Sequence, residues 1–379
     1  MKISVDKDSL LKSIIIADSI ISSKNVNTIL SNCLFNISED QIEIVSTDNE
    51  VAIRTRIDAI ADSPISFAAN GKKFSSILKE LPNDELILDI NDSLVIDIRT
   101  KSKDVKGHYS LIGLSTGEYP EIPGFSEEHS IEVEQAVLRE MIRKVVYAAS
   151  HDTIKPVFNG IYIISETKNS MTAVATDSRR LAMITRNMDT ETEMNIKEGF
   201  IIPLKTVNEI YRLLESTGRC RFSYNNNQCF FKIGRTEIIS RVVDGQFPNY
   251  KHVIPLDSNF EAVAETKKLL DSVRRAMIFT REPANKIVLN FNKDKLKIEA
   301  NTPELGEAEE EIQIETDSKE SMTLGVNAQF LIECLKEIDS YSVKCAITGQ
   351  MSPITIKPED DKNYTSVIMP IQIKSSAAD

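Results

Sequence analysis

Apolar positions recur at helical spacing in six places along the chain. Leu10, Leu11, Ile14 and Ile15 form one set, Leu138, Met141, Ile142 and Val145 another, and Leu269, Leu270, Val273 and Met277 a third. Residues three and four apart share a helix face, so each set predicts an amphipathic helix. Three more sets lie midway between these, in "GKKFSSILKEL" (71–81), "LKTVNEIYRLL" (204–214) and "NAQFLIECLKEI" (327–338). There Phe74, Ile77, Leu78 and Leu81 match Val207, Ile210, Tyr211 and Leu214 in spacing, and Leu331, Cys334, Leu335 and Ile338 repeat the set. Strand-forming runs fill the rest. "ELILDINDSLVIDI" (85–98) reads as two short strands about an Asn-Asp-Ser turn, and "RFSYNNNQCFFKIG" (221–234) and "VKCAITGQMSPITI" (343–356) occupy the matching places.

The chain is thus written three times. "STDNE" (46–50) is echoed by "ATDSR" (175–179) and, more faintly, by "ANTPE" (300–304); "STGEYPEIP" (115–123) is echoed by "VDGQFPNYKHVIP" (243–255). A period of about 125–130 residues covers nearly the whole length. Copies at 1–126, 127–256 and 257–379 each read helix, strands, helix, strands. That order indicates an α+β fold, two helices on antiparallel sheets per copy, rather than a parallel doubly wound sheet.

Composition narrows the class. The 379 residues are 41% hydrophobic and 27% charged, as in soluble globular proteins. "IIIADSII" (14–21) is too short for a membrane span, and "MKISVDKDSL" has no apolar export segment, so a cytoplasmic location with no membrane partner is expected. The five cysteines, Cys33, Cys220, Cys229, Cys334 and Cys345, contain no CxxC and read as buried thiols. A net charge of −12 argues against nucleic acid until the charge is placed. The six helix windows together carry about +4, which leaves roughly −16 elsewhere. A helix-lined basic surface meeting phosphates, with acidic surface repelling them elsewhere, fits that division. Twelve helices about 10 Å across would line an opening of roughly 28 Å, and six only about 9 Å. A duplex about 20 Å wide passes only the larger opening, so two chains are needed.

"VATDSRRLAM" (174–183) poses the main chemical question, because Asp177 beside Arg179 and Arg180 could be a phosphate-handling centre. Catalysis would need convergent acids, a metal or a nucleophile–base pair. His108, His129, His151 and His252 form no HxxxH or HExxH, and no GxxxxGK[ST] or GxGxxG occurs. No catalytic residue, metal or cofactor is therefore assigned. Asp48 and Asp177 each follow a Thr at the end of a β run and read as turn-capping residues. "EAEEE" (307–311) reads as a solvated acidic edge. A repeat-built protein-binding adaptor that does not encircle DNA is the alternative to a DNA ring.

"FNG" (158–160), "VATDSRRLA" (174–182), "VDGQFPNY" (243–250), "ANTPELGEAEEEI" (300–312) and "VIMPI" (367–371) together resemble the bacterial DNA polymerase III β-subunit, or sliding-clamp, family over nearly the full length. The resemblance implies three clamp domains per chain, closing as a head-to-tail homodimeric ring. It implies a non-catalytic factor that slides on double-stranded DNA without sequence preference. Its partners would be the DNA polymerase III α subunit, the clamp loader and other proteins bearing a short clamp-binding motif. The implied peptide pocket comprises Phe158, Thr176, Ser178, Arg179, Arg180, Leu181, Pro248, His252, Val253, Met351, Pro353, Val367, Ile368, Met369, Pro370 and Ile371. Lys12, Lys24, Lys155 and Lys205 match DNA-facing positions, and charge placement alone adds Arg274 and Arg275. Lys73, Tyr109, Leu111, Ile278 and Phe279 match the dimer seam. Ser178-Arg179 stands where Gly-His is common, His252 where an Arg is common, and a tail, Lys374 to Asp379, follows. Pro370 marks the terminal strand as a sheet edge, and Arg179 and Arg180 are expected on the pocket rim, facing a peptide.

Overall fold

The computed structural model describes residues 1–21, 28–101, 107–128, 130–152, 154–189, 194, 196–225, 227–255 and 257–373. Six α-helices stand where the periodicity places them: α1 (Lys7–Asp18), α2 (Gly71–Glu80), α3 (Gln135–Val146), α4 (Leu204–Leu213), α5 (Thr266–Met277) and α6 (Ala328–Lys336). Side-chain caps fix three of the starts. Asp6, Asn70 and Asn327 accept the backbone N–H of Ser9, Lys73 and Phe330 at 2.8, 2.9 and 3.2 Å, which satisfies donors the first turn leaves orphaned. The buried stripe is narrower than the sequence suggests. Leu10, Ile14 and Ala17 are buried on α1, whereas Ile15 is 39% exposed. Each residue step turns the helix by about 100°, so the neighbour of a buried position falls at the margin of the stripe.

By packing, the chain forms two compact units, each drawing on more than one copy: Met1–Val133 with Asn208–Val242, and Glu134–Val207 with Val243–Asp379. The reason is that sheets run across the copy seams. In the first unit, strand Val51–Asp58 of copy one pairs with Thr236–Arg241 of copy two inside an eight-stranded antiparallel sheet. A five-stranded sheet in that unit runs in the order Ile60–Ala61, Lys2–Asp6, Glu85–Ile90, Val95–Thr100, Tyr109–Ile112. In the second unit, Arg180–Asn187 of copy two pairs with Tyr364–Ile368 of copy three inside a twelve-stranded sheet. The first unit's core is apolar throughout, with Phe35 stacked on Phe67 at 5.0 Å and Leu10, Ile14, Phe74 and Leu78 fully buried around them. All five cysteines are buried and unpaired, and burial pushes the Cys334 thiol up to about 11.

Ion pairs reinforce both shared sheets. Glu237, 5% exposed, lies between Arg54 at 3.0 Å and Arg56 at 2.9 Å. In the second unit Arg186 bridges Glu140 of α3 at 2.7 Å and Asp361 at 2.6 Å, and Arg143 holds Asp339 at 2.6 Å. The hydrogen bond from Arg186 lowers the Glu140 pKa. Burial alone would raise Asp361 and Asp339, but Arg186 and Arg143 more than offset it and both end lowered. Burial raises Glu337, which acts with the opposite sign. A carboxylate lowered by folding adds stability above its unfolded pKa of about 4, and that stability is lost as pH falls through the folded value. The denaturation midpoint should therefore hold from pH 7 to about 5 and fall below about pH 4. Arg186→Met should flatten that acid limb, because Glu140 and Asp361 would lose the group that lowers them. Urea titrations of both proteins across pH 3–7 measure this.

Candidate functional site

The "TDSRR" stretch is a hairpin turn between strands Ser170–Thr176 and Arg180–Asn187. The Thr176 hydroxyl donates to the Arg180 carbonyl at 2.6 Å and accepts the Ser178 N–H at 3.2 Å. One Asp177 carboxylate oxygen accepts the N–H groups of Arg179 and Arg180 at 2.8 and 2.9 Å. Copy one builds the same turn, with Thr47 bonding Val51 and Asn49 and Asp48 accepting from Glu50 and Val51. The third residue of each turn is left-handed, Asn49 at φ 76° and Ser178 at φ 73°, a conformation that favours glycine. Asp177 is thus occupied by backbone and by Arg180, as a turn-capping residue would be.

Arg180 is not the rim cation the sequence suggested. Its side chain is 10% exposed, and its guanidinium pairs with Asp177 at 3.1 Å and with Glu333 on α6. The guanidinium carbon lies 4.4 Å from the Phe330 ring centre and 5.6 Å from that of Tyr147. Two carboxylates and two aromatic faces compensate the charge where it sits. Arg179 is exposed, and its carbonyl accepts the Met369 N–H at 2.8 Å.

The terminal strand is not an edge either. Tyr364–Ile368 lies between Arg180–Asn187 and Ile354–Pro358 and pairs with both. Ladder pairing stops at Ile368, so Pro370 falls in the segment beyond, where no ladder donor is needed.

Beside this strand lies an apolar cleft of about 190 Å³, wholly within the second unit. Phe158, Thr176, Ser178, Arg180 and Leu181 line one part, and Pro248, Tyr250, Val253, Val367 and Met369 the rest. Beneath it Leu181, Val174, Ile201, Phe247, Tyr250 and Val367 form one buried cluster. Tyr162 stacks on Phe247 at 4.7 Å and 3°, which fixes the "FPNY" segment against the sheet. Tyr250 was not singled out from the sequence, although its place in "FPNY" beside Pro248 was a usable signal. Val253 and Met369 remain 40% and 38% exposed, so the cleft opens to solvent there.

Seven expected pocket residues fall outside this wall: Arg179, His252, Met351, Pro353, Ile368, Pro370 and Ile371. Ile368 is buried in the ladder, His252 is exposed with its ring 3.3 Å from Asn249, and Met351 is 65% exposed. Of the expected seam residues, Tyr109 and Leu111 lie on an edge strand of the first unit, Lys73 on α2, and Ile278 and Phe279 just beyond α5 in the second unit. Among the described residues Tyr109–Ile112 pairs only with Val95–Thr100; Tyr109 is 38% and Ile112 77% exposed, and Leu111 is half-buried. Lys73 is exposed on α2. Strand Gly306–Glu315 pairs along its length with Lys295–Thr302, but on its other side, among the described residues, only Ile314 and Glu315 are paired. Ile278 and Leu305, 72% and 52% exposed, and half-buried Phe279 belong to this end of the second unit, where the Thr302 hydroxyl donates to the Phe279 carbonyl.

The six helices carry a net +8, so the remainder of the chain carries −20. Lys12, Lys155 and Lys205 are exposed, and Lys24 lies outside the described residues. Arg274 leans on Asp271 at 3.4 Å, whereas Arg275 is held by both oxygens of Glu310 at 2.8 and 2.6 Å. No described helix is long and apolar enough to cross a membrane.

Three consecutive segments match the DNA polymerase III beta subunit: residues 1–123 its N-terminal domain, 132–249 its central domain and 251–372 its C-terminal domain. The chain is 26% identical to the beta sliding clamp of Bacillus subtilis, covering 98% of this chain and 100% of that one. It is 27% identical to that of Halalkalibacterium halodurans, covering 97% and 98%. The crystal structure of the B. subtilis clamp superimposes with a TM-score of 0.91 over 98% of this chain and 99% of that one, at 26% identity. A Pseudomonas aeruginosa clamp bound to griselimycin shares the fold at a TM-score of 0.91 and 24% identity, covering 98% and 100%. With three tandem clamp domains, helices packed on antiparallel sheets and full-length likeness to sliding clamps, the chain belongs to the DNA polymerase III beta subunit family, the non-catalytic clamps that give a DNA polymerase its processivity.

Proposed function

We propose that two copies of this chain close head to tail into a ring around double-stranded DNA in the cytoplasm, with clamp domains at 1–126, 127–256 and 257–379. The ring tethers the DNA polymerase III α subunit, the clamp loader and other proteins through a short peptide held in the Leu181–Met369 cleft. The charge division carries the DNA part of this reading: in an acidic chain the helices carry a net +8 against −20 elsewhere. Lys12, Lys155 and Lys205, with Lys24, are the phosphate contacts; Arg274 joins them with part of its charge, and Arg275, bound to Glu310, contributes least. The ring seam joins the Tyr109–Ile112 edge of one protomer to the Gly306–Glu315 edge of the other, with Lys73, Leu111, Ile278 and Phe279 beside it.

Phosphate-only contacts make binding indifferent to sequence and steep in salt, since each neutralised phosphate releases counterions. Equilibrium binding to two unrelated duplexes across 50–200 mM salt should give equal affinities that fall together, by about an order of magnitude or more. A preference for one duplex, or affinity flat in salt, would count against the reading.

A further inference from the structure

Each copy fastens its edge strand in the same way. The position three residues before the first residue of the second helix is Ala68 for α2, Ile201 for α4 and Gly325 for α6. Each is bonded through its backbone by the segment that follows the last strand of its copy. Ala68 and Leu114 exchange bonds of 2.9 and 2.7 Å, Ile201 accepts from Val243 at 3.0 Å, and Gly325 accepts from Ile371 at 2.7 Å. The third strap, Met369–Ile373, differs in what it carries, because Met369 lines the cleft. Two backbone bonds hold this strap on either side of Pro370: Met369 to the Arg179 carbonyl at 2.8 Å, and Ile371 to Gly325. Pro370 itself has no N–H to add.

The third strap also leaves no room for a side chain on the residue it covers. A Cβ on Gly325 would sit 2.6 Å from the Ile371 carbonyl oxygen and 3.1 Å from an Ile373 side-chain carbon. The first contact is with backbone, which cannot turn aside as a side-chain tip can. Gly325 is not among the left-handed residues, so alanine can adopt its backbone conformation and only space excludes it. We propose that Gly325 is a positioning residue for the cleft: its missing side chain lets the strap seat on the edge strand, and the seated strap holds Met369 in the cleft wall. Gly325 does not itself line the cleft. The inference rests on reading the cleft as the peptide site.

The test uses the full chain, a fluorescein-labelled peptide containing Gln and Leu, and fluorescence anisotropy. Gly325→Ala should weaken peptide binding about tenfold with the thermal midpoint within a few degrees of the parent. Ile371→Pro, which removes the bonded N–H and leaves Gly325 intact, should weaken it similarly. In a chain ending at Pro370, affinity should already be reduced, and Gly325→Ala should change it no further. If the parent binds the peptide and either Gly325→Ala or Ile371→Pro binds equally well, the inference is overturned. It is also overturned if Gly325→Ala costs as much in the shortened chain as in the full one. Failure of the parent itself to bind the peptide would overturn the cleft reading, a distinguishable result.

Discussion

Val253→Asp is expected to weaken binding of a Gln- and Leu-containing clamp-binding peptide by about a hundredfold or more while leaving the fold and the oligomeric state unchanged. Val253 lines the cleft and is 40% exposed, so a carboxylate there stays hydrated in the free protein. Seating an apolar peptide side chain beside it would strip that water, and Arg180 in the same wall is already paired with Asp177 and Glu333. Leu181→Asp is a poorer probe. Leu181 is 2% exposed inside the buried cluster beneath the cleft, so the charge would destabilise the second unit as well. Deleting residues 367–373 has the same fault, because Val367 and Ile368 are paired on both sides. Isothermal titration with an unfolding curve for each variant separates lost binding from lost structure. Unchanged affinity in a folded Val253→Asp protein would mean that the peptide docks elsewhere.

If the proposed head-to-tail dimer forms through this seam, changing both Ile278 and Phe279 to Lys should yield folded monomers. Ile278 is 72% exposed and Leu305 52% exposed, at the end of the second unit where Gly306–Glu315 has its unpaired edge. Exposed apolar side chains beside unsatisfied strand donors make a surface that association would cover. Two cations there would have to be desolvated on closure. Sedimentation should give the parent twice the 42.5 kDa chain mass and the double variant that mass once. A variant that sediments as the parent does would remove these residues from the seam.

The local elements were legible because their causes are local. Three helix pairs followed from spacing, and the Thr176–Arg180 turn from an Asp placed to accept two backbone N–H groups. Contacts distant in sequence were not legible. Pro370 looked like an edge marker because proline cannot donate to a ladder. Whether a strand is central depends on its neighbours, and Tyr364–Ile368 finds one of them at Arg180–Asn187. Arg180 looked free because its second carboxylate, Glu333, lies 153 residues away. Arg275 looked available for the same reason, with Glu310 35 residues on. Three tandem copies were visible as a period, but not that strands of different copies share sheets, which packs the copies into two compact units. Gly325 was reachable in part, since its register against α6 repeats that of Ala68 and Ile201, but nothing local told of the strap that needs its missing Cβ.

Closure around DNA is tested most directly by loading the protein, with a clamp loader and ATP, onto a nicked circular duplex and following retention at high salt before and after linearisation. A topological link does not depend on ionic contacts, which salt screens. Protein that stays on the circle and is lost once the DNA is cut is the result predicted here. Equal release from circle and linear DNA would contradict encirclement and favour a repeat-built adaptor that binds proteins alone.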